Sequence, residues 1–170
     1  MVARTLPRSR PCYSGHVLSA ILAAILIASV PVHLERPATP THIDVADLAP
    51  VLARAHVDVF GRAPSRARLA MAVGQTRLEG LALPGRNLGG LEYERGLPWV
   101  RVDRLTRLRA FGGYEEAARA YWSLLRERCA GALVAFDAGD PDEAARRLRR
   151  CGYYGASEAW YRDGLRALRR

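Results

Sequence analysis

Glycine in the middle of the chain sets the fold. Gly85, Gly89, Gly90 and Gly96 fall between residues 81 and 109 and break any helical period there. Glycine brings no packing side chain and loses the most backbone freedom in a helix. On both sides of this interruption apolar residues return at helical spacing. Within it, Leu91-Glu92-Tyr93 and Trp99-Val100-Arg101-Val102 read as short strands, with Glu94-Arg95-Gly96 as the turn between them. Helices, a small sheet, then helices again is an α+β order, mainly α, with a small antiparallel β-lobe.

The flanking helices have legible ends. A first helix is expected from about 47 to 60, with Asp47 as its cap, Pro50 in its first turn and Gly61 at its end. A second starts at Pro64-Ser65, carries Leu69, Ala70, Val73 and Thr76 as its stripe with Met71 and Leu78 beside it, and ends near Gly80. A third, about 115–128, carries Ala117, Ala118, Tyr121, Trp122, Leu124 and Leu125, and a short helix or turn follows through Leu133 and Phe136. Asp140-Pro141-Asp142-Glu143 is a strong helix start, with a capping Asp, Pro at the first position and Glu at the third. That helix stops at Gly152, and a last one begins near Ser157 with Trp160, Leu165 and Leu168.

The N-terminus speaks to compartment. Arg4, Arg8 and Arg10 precede an apolar stretch at 17–30, and no charged residue lies between Arg10 and Glu35. Charge followed by an apolar run is the pattern of an export signal, and its length suits a spanning helix as well. Residues 1–35 therefore read as a signal peptide or a signal-anchor transmembrane segment, 36–46 as a linker, and 47–170 as the folded domain. Basic residues ahead of the run favour an exported body, periplasmic or extracellular, anchored in the inner membrane if the segment is retained. Cys129 and Cys151 would then meet an oxidising space, where they can form a disulfide or remain as two buried thiols.

The net charge of +9, all of it from arginine, implies an anionic partner such as nucleic acid, lipid or the bacterial wall. Its spread along the chain argues against a dedicated nucleic-acid groove. His16, His33, His42 and His56 do not pair at metal-ligand spacing, and no phosphate-binding glycine loop is present, so neither metal nor cofactor is expected.

Glu79 is the residue with chemistry to offer. It ends an apolar helix, where the negative end of the helix dipole and apolar neighbours both favour its protonated form. A carboxylic acid kept protonated near neutral pH can donate a proton to a leaving glycosidic oxygen.

The stretch Ala-Val-Gly-Gln-Thr-Arg-Leu-Glu-Gly at 72–80 resembles the catalytic-Glu helix of the bacterial glucosaminidases, glycoside hydrolase family 73 and its lysozyme-like relatives. Asn-Leu-Gly-Gly-Leu at 87–91 is similar to that family's asparagine-glycine strand. The segments at 111–122, 138–145 and 151–161 resemble its later helices in the same order. The resemblance covers about residues 51–168. It implies a lysozyme-like helical domain acting on N-acetylglucosamine linkages of peptidoglycan, as an endo-β-N-acetylglucosaminidase or muramidase. It also implies a catalytic tyrosine near the C-terminal helix, by position Tyr161, with Tyr153 and Tyr154 lining the cleft. The sequence departs from the family at Arg77, at Leu81-Ala82-Leu83-Pro84 and at Gly155-Ala156. A catalytically degenerate module that holds wall glycan is therefore the alternative.

A glycosidase needs a second group across the scissile bond. Glu92, Glu94 and Asp103 all lie on the expected lobe, and strand alternation puts Glu92 and Glu94 on one face, so spacing does not choose between them. Asn87 can orient the acid, bind a sugar amide or serve as a turn residue. Trp99, with Trp122 and Trp160, can stack on sugar rings or pack in the core.

Overall fold

The computed structural model describes residues 42–80 and 83–168. The apolar stretch at 17–30 and the start of the linker lie outside these residues, and no helix among the described ones is long and apolar enough to cross a membrane. Six helices and a two-stranded antiparallel sheet are described: α1 (Val45–Phe60), α2 (Arg66–Glu79), β1 (Trp99–Arg101), β2 (Arg107–Arg109), α3 (Tyr114–Arg128), α4 (Ala130–Ala138), α5 (Pro141–Arg150) and α6 (Glu158–Leu168). The fold is mainly α, of the α+β class.

Side-chain caps open two of the helices. Ser65 Oγ accepts from the Arg68 N–H at 3.1 Å to open α2. Asp140 Oδ1 accepts from the Asp142 and Glu143 N–H groups, both at 3.0 Å, to open α5. α1 starts at Val45, ahead of the expected Asp47, and takes Pro50 into its interior. Pro50 and Ala46 are both exposed, so water can satisfy the carbonyl that the proline leaves without an N–H donor.

The sheet differs from the expected hairpin. β1 pairs with β2, through Trp99↔Arg109, Val100↔Leu108 and Arg101↔Arg107. The 91–93 segment lies on the other edge of β2, where Glu92 bridges to Leu108 and Tyr93 N–H donates to Arg107 O at 3.1 Å. The turn at 94–96 is present, but β2 comes between the segments it joins. Asp103 explains the change. Its Oδ1 accepts from the Leu105 and Thr106 N–H groups at 2.8 Å each and closes a tight turn from β1 into β2.

The stripe on α2 is also rotated from the expected one. Its buried face holds Arg68, Met71, Ala72, Gln75 and Thr76, while Leu69 and Val73 are only partly buried. Polar residues occupy the inner face because each meets a specific group. Arg68 pairs with Asp137 of α4 and contacts His56 of α1, and Thr76 Oγ1 donates to Ala72 O at 3.0 Å. The main core forms around Leu48, Leu52, Trp122, Leu125, Phe136, Leu148 and Leu165, with Trp122 Nε1 donating to Leu52 O at 2.9 Å. A disulfide joins Cys129 to Cys151 with Cα atoms 5.4 Å apart, tying the end of α3 to the end of α5.

Candidate active site at the end of α2

Glu79 is the last residue of α2, on the same helical face as Arg68, Ala72, Gln75 and Thr76. Three segments close around it. α6 packs closely against α2 at Gly164, where a Cβ would stand 2.6 Å from Leu78 Cδ1 and force that side chain to move. One turn earlier on α6, Tyr161 Oη donates to Glu79 Oε1 at 2.7 Å. Tyr154 stacks flat on the Tyr161 ring, centroids 3.8 Å apart, and its hydroxyl donates to Ala145 O at 2.8 Å. Tyr154 thus holds Tyr161 in place.

The third segment is the 87–91 loop. Asn87 is buried, and its side chain pairs with the Leu91 N–H and with the Leu91 and Arg109 carbonyls, all within 2.7–2.8 Å. Its side-chain amide thus shapes the loop through backbone hydrogen bonds. Gly89 and Gly90 follow at φ 81° and 65°. A Cβ on Gly89 would meet Tyr153 Oη at 2.5 Å and Tyr121 Cδ2 at 2.9 Å, and one on Gly90 would meet Glu79 Oε2 at 3.1 Å. The loop backbone therefore lies directly against the carboxylate. Tyr153 Oη donates to Gly89 O at 2.7 Å and pins the loop there.

Electrostatics follow from this enclosure. Burial raises the Glu79 pKa, and the Tyr161 hydrogen bond opposes that rise. Tyr161 is itself driven far up by burial, then by the charge of Glu79 and the bond to it, so it acts as a neutral donor. Tyr121 and Tyr153 are raised by burial as well, with the Glu79 charge a lesser cause in each. Three neutral phenols thus surround one carboxyl group that burial holds towards its acid form.

Glu92 and Glu94 lie elsewhere. Both are exposed and line a cavity of about 440 Å³ between the 91–94 segment and the outer face of α3. A smaller cavity of about 50 Å³, lined by Gly89, Gly90, Glu92 and Tyr153, sits between that groove and the loop packed on Glu79. Neither glutamate bonds to Glu79. Asp103 is committed to its own turn, and those backbone hydrogen bonds lower its pKa. Trp99 is buried, with Tyr93 edge-on at 5.9 Å and the Arg107 guanidinium over its ring at 4.7 Å, which is a packing role.

Two further residues belong to the site. Gln75 and Tyr121 are fully buried, and Tyr121 Oη donates to Gln75 Oε1 at 2.7 Å. The four-residue spacing of Gln75 and Glu79 was the available signal. Among the described residues, no group of histidine, cysteine and acidic side chains could hold a metal. No protein-family model matches the chain, and neither a curated protein nor a solved structure matches it significantly.

Proposed function

We propose that this chain is a peptidoglycan glycosidase in which Glu79 is the general acid. The observation that carries this reading is the Glu79–Tyr161 pair: a carboxyl group raised by burial, hydrogen-bonded to a phenol that stays neutral. In its acid form Glu79 delivers a proton to the leaving glycosidic oxygen as the C1–O bond breaks, and the sugar develops oxocarbenium character. Tyr161 orients the carboxyl group and then stabilises the carboxylate left behind. The substrate's own N-acetyl group supplies the second function, since Glu92 and Glu94 line the groove beside α3 and neither bonds to Glu79. The disulfide suits an exported protein, and the charge of +9 suits an anionic wall.

Glu79→Gln tests the proposal. Gln keeps the shape but carries no acidic proton, so lysis of purified sacculi should fall about 10²–10⁴-fold with an unchanged circular dichroism spectrum. Near-normal lysis by the variant would refute it. One observation favours a second reading, a module that binds wall glycan without cutting it: no other carboxylate among the described residues bonds into the Glu79 network. Retention on sacculi without release of soluble fragments by the unaltered protein would select that reading.

A further inference from the structure

The groove between the 91–94 segment and α3 holds charges of both signs that do not pair with each other. Its volume is about 440 Å³. Several of its charged residues are already engaged: Arg119 with Asp58, Glu127 with Arg126, and Glu116 with the Gly112 N–H. The side chains of Glu92, Glu94 and Arg128 make no hydrogen bond or ion pair among the described residues. The Arg109 guanidinium lies over the Phe111 ring at 4.8 Å and has no carboxylate partner there either. Two carboxylates and two guanidiniums thus face one groove, on a surface where most other arginines near an acid have paired with it.

We infer that this groove binds a short zwitterionic peptide, its carboxylate taken by Arg128 and Arg109 and its ammonium by Glu92 or Glu94. Guanidinium forks recognise carboxylates in two-pronged geometry, and an ammonium needs only a nearby anion. Leu91 and Leu124 give the peptide backbone an apolar floor. Resting on the function proposed above, the ligand is the peptide stem carried by wall glycan, which has free carboxylates and, on its diamino residue, a free ammonium. The groove shares Leu91, Glu92, Leu124 and Arg128 with the small cavity beside Gly90, whose backbone touches Glu79. A stem bound in the groove therefore lies beside the proposed point of cleavage, so the protein selects peptide-bearing strands over bare ones.

Two measurements on the full chain test this. In the first, titration calorimetry uses the free stem tetrapeptide and the same peptide with its side-chain amine acetylated. The unblocked peptide should bind about five- to tenfold more tightly, and Arg128→Gln should weaken it by a similar factor, as expected for losing one charge-assisted contact in a solvated groove. Arg128→Lys should restore part of that affinity. In the second, cleavage of intact sacculi is compared with cleavage of strands stripped of stems by an amidase. The unaltered protein should prefer intact sacculi, and Arg128→Gln should lose that preference. A peptide that does not bind, or that binds equally well when acetylated, overturns the inference. Equal cleavage of both strands also overturns it and leaves the glycosidase reading intact. Peptide binding with no cleavage of either strand removes the glycosidase reading and keeps the groove's assignment.

Discussion

Asp137→Ala should be among the most damaging single changes in the protein. Arg68 is only 6 % exposed, yet it carries a charge into the contact between α1, α2 and α4. Asp137 receives its Nε at 2.8 Å and a second bond from its other nitrogen, while His56 Nε2 lies 3.1 Å from the third. His56 Nδ1 faces Arg62 O at 2.8 Å, so Nδ1 carries the proton and Nε2 accepts from Arg68. Removing Asp137 leaves a buried guanidinium with one neutral partner. Breaking a fully buried pair from one side costs about 3–5 kcal/mol. The Asp137 side chain is 43 % exposed, so water can reach part of the site, which lowers the expected loss to about 2–3 kcal/mol.

Urea unfolding followed by circular dichroism measures this loss, and a double-mutant cycle assigns it. In an Arg68→Met background the buried charge is gone, so Asp137→Ala should cost less than about 1 kcal/mol. Additive losses, or an Asp137→Ala variant within about 0.5 kcal/mol of the unaltered protein, would refute the reasoning. The same cluster predicts acid sensitivity. His56 is lowered from 6.5, first by burial, so its contribution is complete above that value and is lost as pH falls below it. At Asp137 burial pushes upward, but the Arg68 and Ser65 hydrogen bonds outweigh it and lower the pKa, so its contribution is lost only in stronger acid. Stability should therefore decline in two stages, with the neutral-side stage absent from a His56→Phe variant.

Tyr161→Phe removes the one interaction that opposes the rise in the Glu79 pKa, so the acid form should persist to higher pH. The basic limb of the pH profile for wall lysis should move upward, and an unmoved limb would mean that Tyr161 does not bear on the acid. Gly89→Ala forces a Cβ to within 2.5 Å of Tyr153 Oη at φ 81°, and should cost about 2–4 kcal/mol from backbone strain and the lost buried hydrogen bond. A thermal melt within about 2 °C of normal would show that the loop does not sit as described. Reducing the Cys129–Cys151 bond opens a link spanning 22 residues and should lower stability by about 3 kcal/mol on chain-entropy grounds. Equal urea midpoints with and without reductant would count against that.

Sequence carried most of what is local. The helix start at Pro64-Ser65, the Asp140 cap and the glycine break each depend on a few adjacent residues, and all are present; of the two alternatives for Cys129 and Cys151, the disulfide is the one observed. What failed depended on distant partners. The 91–93 segment and β1 were read as neighbours because a turn joins them, whereas the Asx turn at Asp103 brings β2 between them. The inner face of α2 was misphased because apolar spacing marked Leu69 and Val73, and nothing local announces that Asp137, 69 positions after Arg68, will satisfy that arginine. Asn87 and Trp99 have side chains suited to sugars, but tertiary contacts commit the first to backbone and the second to packing. Tyr121 looked like another core aromatic, and only the fold turns its hydroxyl towards Gln75 beside the acid.

The polar inner face of α2 bears on why Glu79 stands where it does. A helix serving only the core would bury apolar residues, since each buried polar group costs stability unless it is matched. Arg68 and Thr76 are matched, by Asp137 and by the helix's own carbonyls. The next turn is matched less well. Gln75 Nε2 is buried and finds no hydrogen bond among the described residues. Gln75 also approaches Tyr161, and that contact lowers the hydroxyl's pKa. Among the described residues Glu79 holds one hydrogen-bond partner for two carboxylate oxygens, with the other oxygen facing Gly90. On this face of α2 the incomplete matching falls on Gln75 and Glu79, two and three turns after a fully paired arginine, while Trp99 Nε1 and Tyr114 Oη are buried without a partner elsewhere among the described residues. Local rules are broken most often where function requires it, and a group that enters beside Gly90 would supply what Glu79 lacks. Under the function proposed above, the end of α2, rather than the charged groove beside it, is the expected place of cleavage.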